Sequence, residues 1–218
     1  MKTTWSVKTA KAYVKNLSLP SKMPGYSYSI PAQNCKVGGQ LQKIEGSTCS
    51  KCYCLRGNYR WPVVENALKA RLKAIKKAKW VEAMAFLINN YGSKGDTHFR
   101  FHDSGDLQSM EHLENIVSIA KLTPLVKIWL PTREYKLIRD YLASGKVFPD
   151  NLTVRVSSPM IDVYQIGFVK MGVTVSGVHS NDSKAQGFKC IAKDQGNQCL
   201  DCRACWDKNV KIVSYHKH

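Results

Sequence analysis

The distribution of cysteine constrains this chain more than any other feature. Eight cysteines fall in two groups, Cys35, Cys49, Cys52 and Cys54 near the front and Cys190, Cys199, Cys202 and Cys205 near the end, with none between. A disulfide framework belongs to small secreted chains, whereas 218 residues suffice for a substantial domain with its own core. Thiols buried singly would scatter along the sequence. Tight groups read as metal ligands, so each group has to close into a compact loop.

The back group is spaced C-x8-C-x2-C-x2-C. Three cysteines at successive x2 spacing wrap a cuboidal iron–sulfur cluster, and Cys190 can supply a fourth thiolate. Zinc is the alternative, because four sulfurs suit both metals, although zinc sites usually pair two C-x2-C knuckles a dozen or more residues apart. The front group, C-x13-C-x2-C-x-C, matches no standard zinc module. Cys35, Cys49 and Cys52 are its expected ligands, with Cys54 a fourth ligand or a nearby free thiol. Three ligands would leave one iron open to a small molecule. One or two [4Fe–4S] clusters are therefore expected, with zinc as the second choice.

Between the groups the sequence alternates. "HFRFH" (98–102), "VKIWLP" (126–131), "LTVRVS" (152–157) and "VTVSGV" (173–178) read as short strands, separated by helical patterns over about 107–122, 134–144 and 160–171. Such alternation predicts βα units, an α/β class and a parallel sheet. Parallel sheets place chemistry at the carboxyl ends of their strands. The residues there are His102, Asp103, Ser104 and Asp106; Thr132, Arg133 and Glu134; Arg155, Ser157 and Ser158; and His179 and Asp182. His102, Asp103 and Asp106 are candidates to move protons. Arg133, Arg155 and Ser157 are candidates to bind a small anionic substrate, since a guanidinium presents paired donors.

One long helix is expected over 63–91. Val64, Leu68, Leu72, Ile75, Ala78 and Ala85 form its apolar face, and Lys69, Lys73, Lys76 and Lys77 lie opposite with Trp80 among them. The net charge of +17 is concentrated at the front: residues 1–80 hold 16 Lys and Arg against Glu45 and Glu65. A nucleic acid, met by the basic N-terminal part and these lysines, with Trp80 as a stacking surface, is one reading of that charge. The chain divides into a basic, cysteine-containing segment (1–62), a helix with βα repeats (63–180) and a cysteine-rich tail (181–218), all in a single domain. No apolar run is long enough to span a membrane, and the front has no secretory-type apolar stretch. A cytoplasmic location follows as the default.

"SYSIPAQNC", "CSKCY", "FRFHDSGD", "WLPTREY", "NLTVRVSSP" and the closing "CLDCRACW" resemble the phage family called Gene product 88, over about residues 26–207. The resemblance implies a partial, TIM-like barrel of the kind seen in radical-SAM proteins, a phage origin (hence the host cytoplasm) and iron–sulfur ligation by Cys35, Cys49, Cys52, Cys190, Cys199, Cys202 and Cys205. Cys54 stands where such proteins often have a small residue. Radical-SAM loops carry C-x3-C-x2-C, whereas this chain has C-x13-C-x2-C. The expected function is an enzyme with a [4Fe–4S] cluster at the strand-end rim, performing sulfur-handling, lyase or SAM-related chemistry. The alternative is a nucleic-acid-binding protein whose iron–sulfur or zinc sites are structural.

Overall fold

The computed structural model describes residues 5–92, 94–95 and 97–217, so the first four residues of the basic segment lie outside it. In chain order the elements are α1 (Val7–Val14), β1 (Tyr26–Ser27), α2 (Lys36–Leu41), α3 (Pro62–Ala74), α4 (Trp80–Gly92), β2 (His98–Arg100), α5 (Met110–Leu122), β3 (Lys127–Thr132), α6 (Tyr135–Ala143), β4 (Leu152–Ser157), α7 (Gly167–Lys170), β5 (Thr174–His179), β6 (Phe188–Lys189) and β7 (Ile212–His216). Among the described residues seven strands join one sheet in the order β1-β2-β3-β4-β5-β7-β6, and every pair is parallel. The α/β class with parallel strands is thus present. The sheet is open, with β1 and β6 at its edges, so the strands do not close into a barrel.

Strand alternation gives the sheet two different faces. Phe99, Phe101, Ile128, Leu130, Val154, Val156 and Val175 join one core with Met84, Leu87 and Ile88 of α4 and Leu113, Ile116 and Ala120 of α5. Each fully buried side chain of this size contributes about 2 kcal/mol. The other face carries Trp129, Thr153 and Arg155, and the cysteine-rich tail covers it. Thr153 Oγ1 donates to the Trp206 carbonyl at 2.6 Å, the Trp206 indole donates to the Phe99 carbonyl at 2.8 Å, and the Trp129 and Trp206 rings lie 5.2 Å apart.

The expected helix over 63–91 is instead two helices, α3 and α4. α3 begins with Pro62 at its first turn, where a missing N–H is harmless, and it ends as the Lys77 amide turns back to the Ala74 carbonyl. The break re-aims Trp80. Rather than standing among the lysines, its ring is wholly buried (0% exposed) against Tyr28, Phe101 and His112, at 5.7, 6.2 and 5.6 Å. A straight helix would have carried this ring out with the lysine face. The 160–171 helix is likewise reduced to the single turn α7, with residues 160–166 spent on turns and a bridge between Ser47 and Met160.

His102 also belongs to the core. It is 2% exposed, neither ring nitrogen has a partner among the described residues, and its ring lies 5.4 Å from that of His112. Burial holds His102 well below the usual imidazole range, helped by His112 and Arg100, and burial lowers His112 to about 4. Both rings are therefore neutral in the folded protein and take up protons on unfolding below pH 6.5, so stability falls as pH drops from there. In His102→Leu, the slope of unfolding free energy against pH between about 4.5 and 6 should be shallower by about 1.4 kcal/mol per pH unit than in the parent. Urea unfolding across that range measures it, and an unchanged slope would contradict the assignment.

Candidate metal centres

The front group assembles where three segments meet. Residues 32–34 form a single 3-10 turn that delivers Cys35 to the start of α2. Gly38 lies one turn on, and a Cβ there would stand 3.1 Å from Cys35 Cβ, 3.6 Å from Cys49 Sγ and 3.8 Å from Cys35 Sγ. Gly38 thus leaves open the space that the two sulfurs face. Cys52 enters the same neighbourhood at the start of the turn Tyr53–Leu55.

Burial pushes the Cys35 thiol up, with Asp106, Cys52 and Cys49 adding to the effect and Arg133 opposing it. Burial also raises Cys49, again opposed by Arg133. Cys52 goes the other way. A hydrogen bond from Cys54 lowers it most, against burial, and the amides of Cys54 and Leu55 and the charge of Arg133 lower it further. Cys52 is thus the most acidic thiol of the set, while the same bond, with burial, raises Cys54. The single S–H of Cys54 has two acceptors in reach, the Cys52 sulfur and the Asp103 carbonyl at 3.4 Å. The structure therefore brings Cys35, Cys49 and Cys52 together and ties Cys54 to the strand-end loop.

That loop is rigidly held. Asp103 accepts from Ser27 Oγ at 3.1 Å and Tyr59 Oη at 2.9 Å, its carbonyl accepts from Tyr53 Oη at 2.9 Å, and its amide donates to Ser29 Oγ at 3.1 Å. Gly105 next to it has φ +84°, and a Cβ there would stand 2.4 Å from Ile30 Cγ1, so only glycine fits. Asp106 accepts from Thr132 Oγ1 at 2.6 Å and from the amides of Leu107 and Arg133 at 2.7 and 2.8 Å. Burial raises its carboxyl to about 6, with those hydrogen bonds opposing. Asp103 and Asp106 therefore position the cysteine loop and the start of the Arg133 segment. The Arg133 guanidinium donates twice to Thr48 Oγ1, at 3.2 and 2.9 Å, which sets it beside the three thiols.

The back group encloses a narrow cleft lined by Cys190, Cys199, Cys202 and Cys205 together with apolar side chains, among them Phe188, Ile191, Trp206 and Val213. The Cys190 amide donates to Ser214 of β7 at 2.8 Å, the Cys199 amide to Lys22 at 2.9 Å and the Cys202 amide to Cys199 at 2.8 Å. Cys205 Sγ lies 3.1 Å from Tyr215 Oη. Burial raises Cys205 to about 11, opposed by Tyr215, Arg155 and Arg100. Four thiols around one apolar cleft, with two guanidinium groups to offset thiolate charge, suit a soft metal or an iron–sulfur cluster.

Arg155 is placed differently from its expected role in substrate binding. It is 0% exposed, and its guanidinium donates to the carbonyls of Val175, Ala204, Cys205, Asp207 and Val210. An inward-facing position in the middle of a covered strand left it no solvent to reach. Ser157 stands beside it on the strand, with its carbonyl accepting from Tyr135 Oη at 2.8 Å and its hydroxyl 3.4 Å from Ser176 Oγ. Of the expected lysine face, Lys77 is committed to α1 through the Tyr13 carbonyl at 3.0 Å and the Tyr13 ring, and Lys69 meets Glu65 at 3.6 Å. Lys73 and Lys76 are exposed.

Sequence reasoning missed Thr48, Gly38, Tyr53, Tyr59 and Arg100. Arg100 stacks on Trp129 at 4.3 Å and bonds the His102 carbonyl through Nε at 3.0 Å. Its charge acts on Cys199 and Cys205 on one side and on Tyr53 at the front site on the other. A charged residue at an inward position of "HFRFH" was the one available signal.

Arg155→Met strands five carbonyls and should cost about 3 kcal/mol or more. Pulsed thiol labelling read by mass spectrometry should show Cys190, Cys199, Cys202 and Cys205 reacting faster, with Cys35 and Cys49 unchanged. Equal protection of both groups in the variant would contradict the assigned role.

No curated protein and no solved structure matches the chain. A family model does, over residues 2–208, and its description is Gene product 88. The match takes in both cysteine groups and every strand but β7. The chain belongs to the Gene product 88 family of phage proteins.

Proposed function

We propose that the chain is an iron–sulfur protein in which Cys35, Cys49 and Cys52 hold a [4Fe–4S] cluster with one iron open, and that it acts as an enzyme on a small anionic substrate at this rim. The carrying observation is the arrangement of the front thiols: Cys35, Cys49 and Cys52 lie under the influence of the one guanidinium that Thr48 fixes beside them, and Cys54 Sγ instead bonds the Asp103 carbonyl at 3.4 Å. In the same reading the back group is a saturated, structural site.

A bound cluster supplies redox or Lewis-acid chemistry at its open iron. The rest is done by side chains of this protein. Arg133 offsets thiolate charge and offers a guanidinium to an anionic group, with its planar head fixed by Thr48. Asp106 fixes the Arg133 backbone and Thr132, and Glu134 anchors α2 through the Val37 amide at 3.1 Å, so the rim and the Cys35 turn move as one body. SAM-related and sulfur-handling chemistry both need this open site.

Anaerobically purified protein should contain iron and acid-labile sulfide in similar amounts. Cys54→Ala should keep the full content, whereas Cys35→Ala, Cys49→Ala and Cys52→Ala should each lose the front share. Addition of cysteine or SAM should perturb the electron paramagnetic resonance of the reduced parent. Zinc without sulfide, or a loss of iron in Cys54→Ala equal to that in Cys52→Ala, would overturn the reading.

A further inference from the structure

β5 and β7 pair in parallel with His179 opposite His216, so two imidazoles leave neighbouring strands at the same end of the sheet. The turn after β5 returns Asp182 to them. His179 Nε2 lies 3.1 Å from His216 Nδ1, and Asp182 Oδ1 lies 3.7 and 3.8 Å from those nitrogens. The circle through the three atoms has a radius of about 2.1 Å, so an ion seated a little above their plane, as a tetrahedral one would be, lies about 2.2 Å from each, close to zinc–imidazole and zinc–carboxylate bond lengths.

Hydrogen bonding behind the cluster prepares His179 as a ligand. His179 Nδ1 lies 2.7 Å from Ser214 Oγ, Ser214 Oγ bonds the Tyr164 hydroxyl, and Tyr164 Oη reaches the Lys184 carbonyl at 3.4 Å. A carbonyl only accepts, so the protons run toward it: Nδ1–H donates to Ser214, Ser214 to Tyr164 and Tyr164 to Lys184. That order leaves Nε2 as a bare lone pair facing His216 and Asp182, the arrangement that outer hydrogen bonds impose on metal-binding histidines. Lys189 Nζ holds Asp182 Oδ2 at 2.8 Å and leaves Oδ1 for the cluster. His216 Nε2 is buried with no partner among the described residues, so the proton of that ring can reside there while Nδ1 ligates.

We propose that His179, His216 and Asp182 form a binding site for a divalent cation of the zinc type, separate from both cysteine groups. Two imidazoles and one carboxylate leave the fourth position of a tetrahedral ion to water or to an incoming ligand.

The test is a zinc titration of 15N-labelled, full-length protein whose thiol sites have first been filled, followed through the imidazole nitrogen resonances. This readout is blind to zinc taken by thiolates, so it stands or falls independently of the iron–sulfur reading. At one further equivalent, His179 Nε2 and His216 Nδ1 should shift. Asp182 is largely exposed, so Asp182→Asn should fold normally and bind zinc roughly tenfold or more weakly. Unmoved nitrogens under excess zinc, or equal affinity in Asp182→Asn, would overturn the proposal. A proton found on His179 Nε2 and unaffected by zinc would identify a plain histidine–histidine hydrogen bond instead.

Discussion

The buried guanidinium of Arg155 organises much of this molecule. A cation withdrawn from water must have its donors satisfied, and here five peptide carbonyls do so, four of them from residues 204–210 of the tail. The tail must therefore lie across the sheet in one conformation. That conformation seats Trp206 on Trp129, brings Cys205 to Tyr215, and encloses the back thiols in an apolar cleft. The polar strand residues of this face are explained by the tail that they bind and need no substrate.

The two faces of the sheet were unequally legible in the sequence. The βα rhythm from residue 98 onward located four strands and their parallel order because strand and helix periodicities alternate cleanly there. β1 and β6, at two residues each, are too short for any periodicity, and β7 lies in a tail that cysteine spacing dominated. The break between α3 and α4 was hidden because apolar spacing continues through it. The turn at residues 75–79 meets a tertiary demand, the burial of the Trp80 ring, that no local pattern announces.

Residue types pointed to candidate groups, but geometry decides their partners. Spacing singled out the cysteines, and the Asp103 carbonyl of "HDSGD" lies 3.4 Å from Cys54 Sγ. Which acid holds a loop and which group meets a ligand depends on partners distant in sequence. Tyr59 and Ser27 claim the Asp103 carboxylate, Thr132 and two amides claim that of Asp106, and His102 turns inward to His112. Arg133 keeps its guanidinium beside the thiols because its partner Thr48 sits one residue before Cys49.

The cysteine-rich tail is also the connection between two adjacent parallel strands, β5 and β7, a span that α/β proteins usually fill with a helix. A helix brings its own hydrogen bonds and can form before it docks. Residues 180–211 contain only short turns and the two-residue β6, so their shape depends on what they enclose. The last strand, with His216 at its tip, is therefore anchored through that span, so the bonds that Thr153 and Arg155 make to it also hold β7 in register with β5.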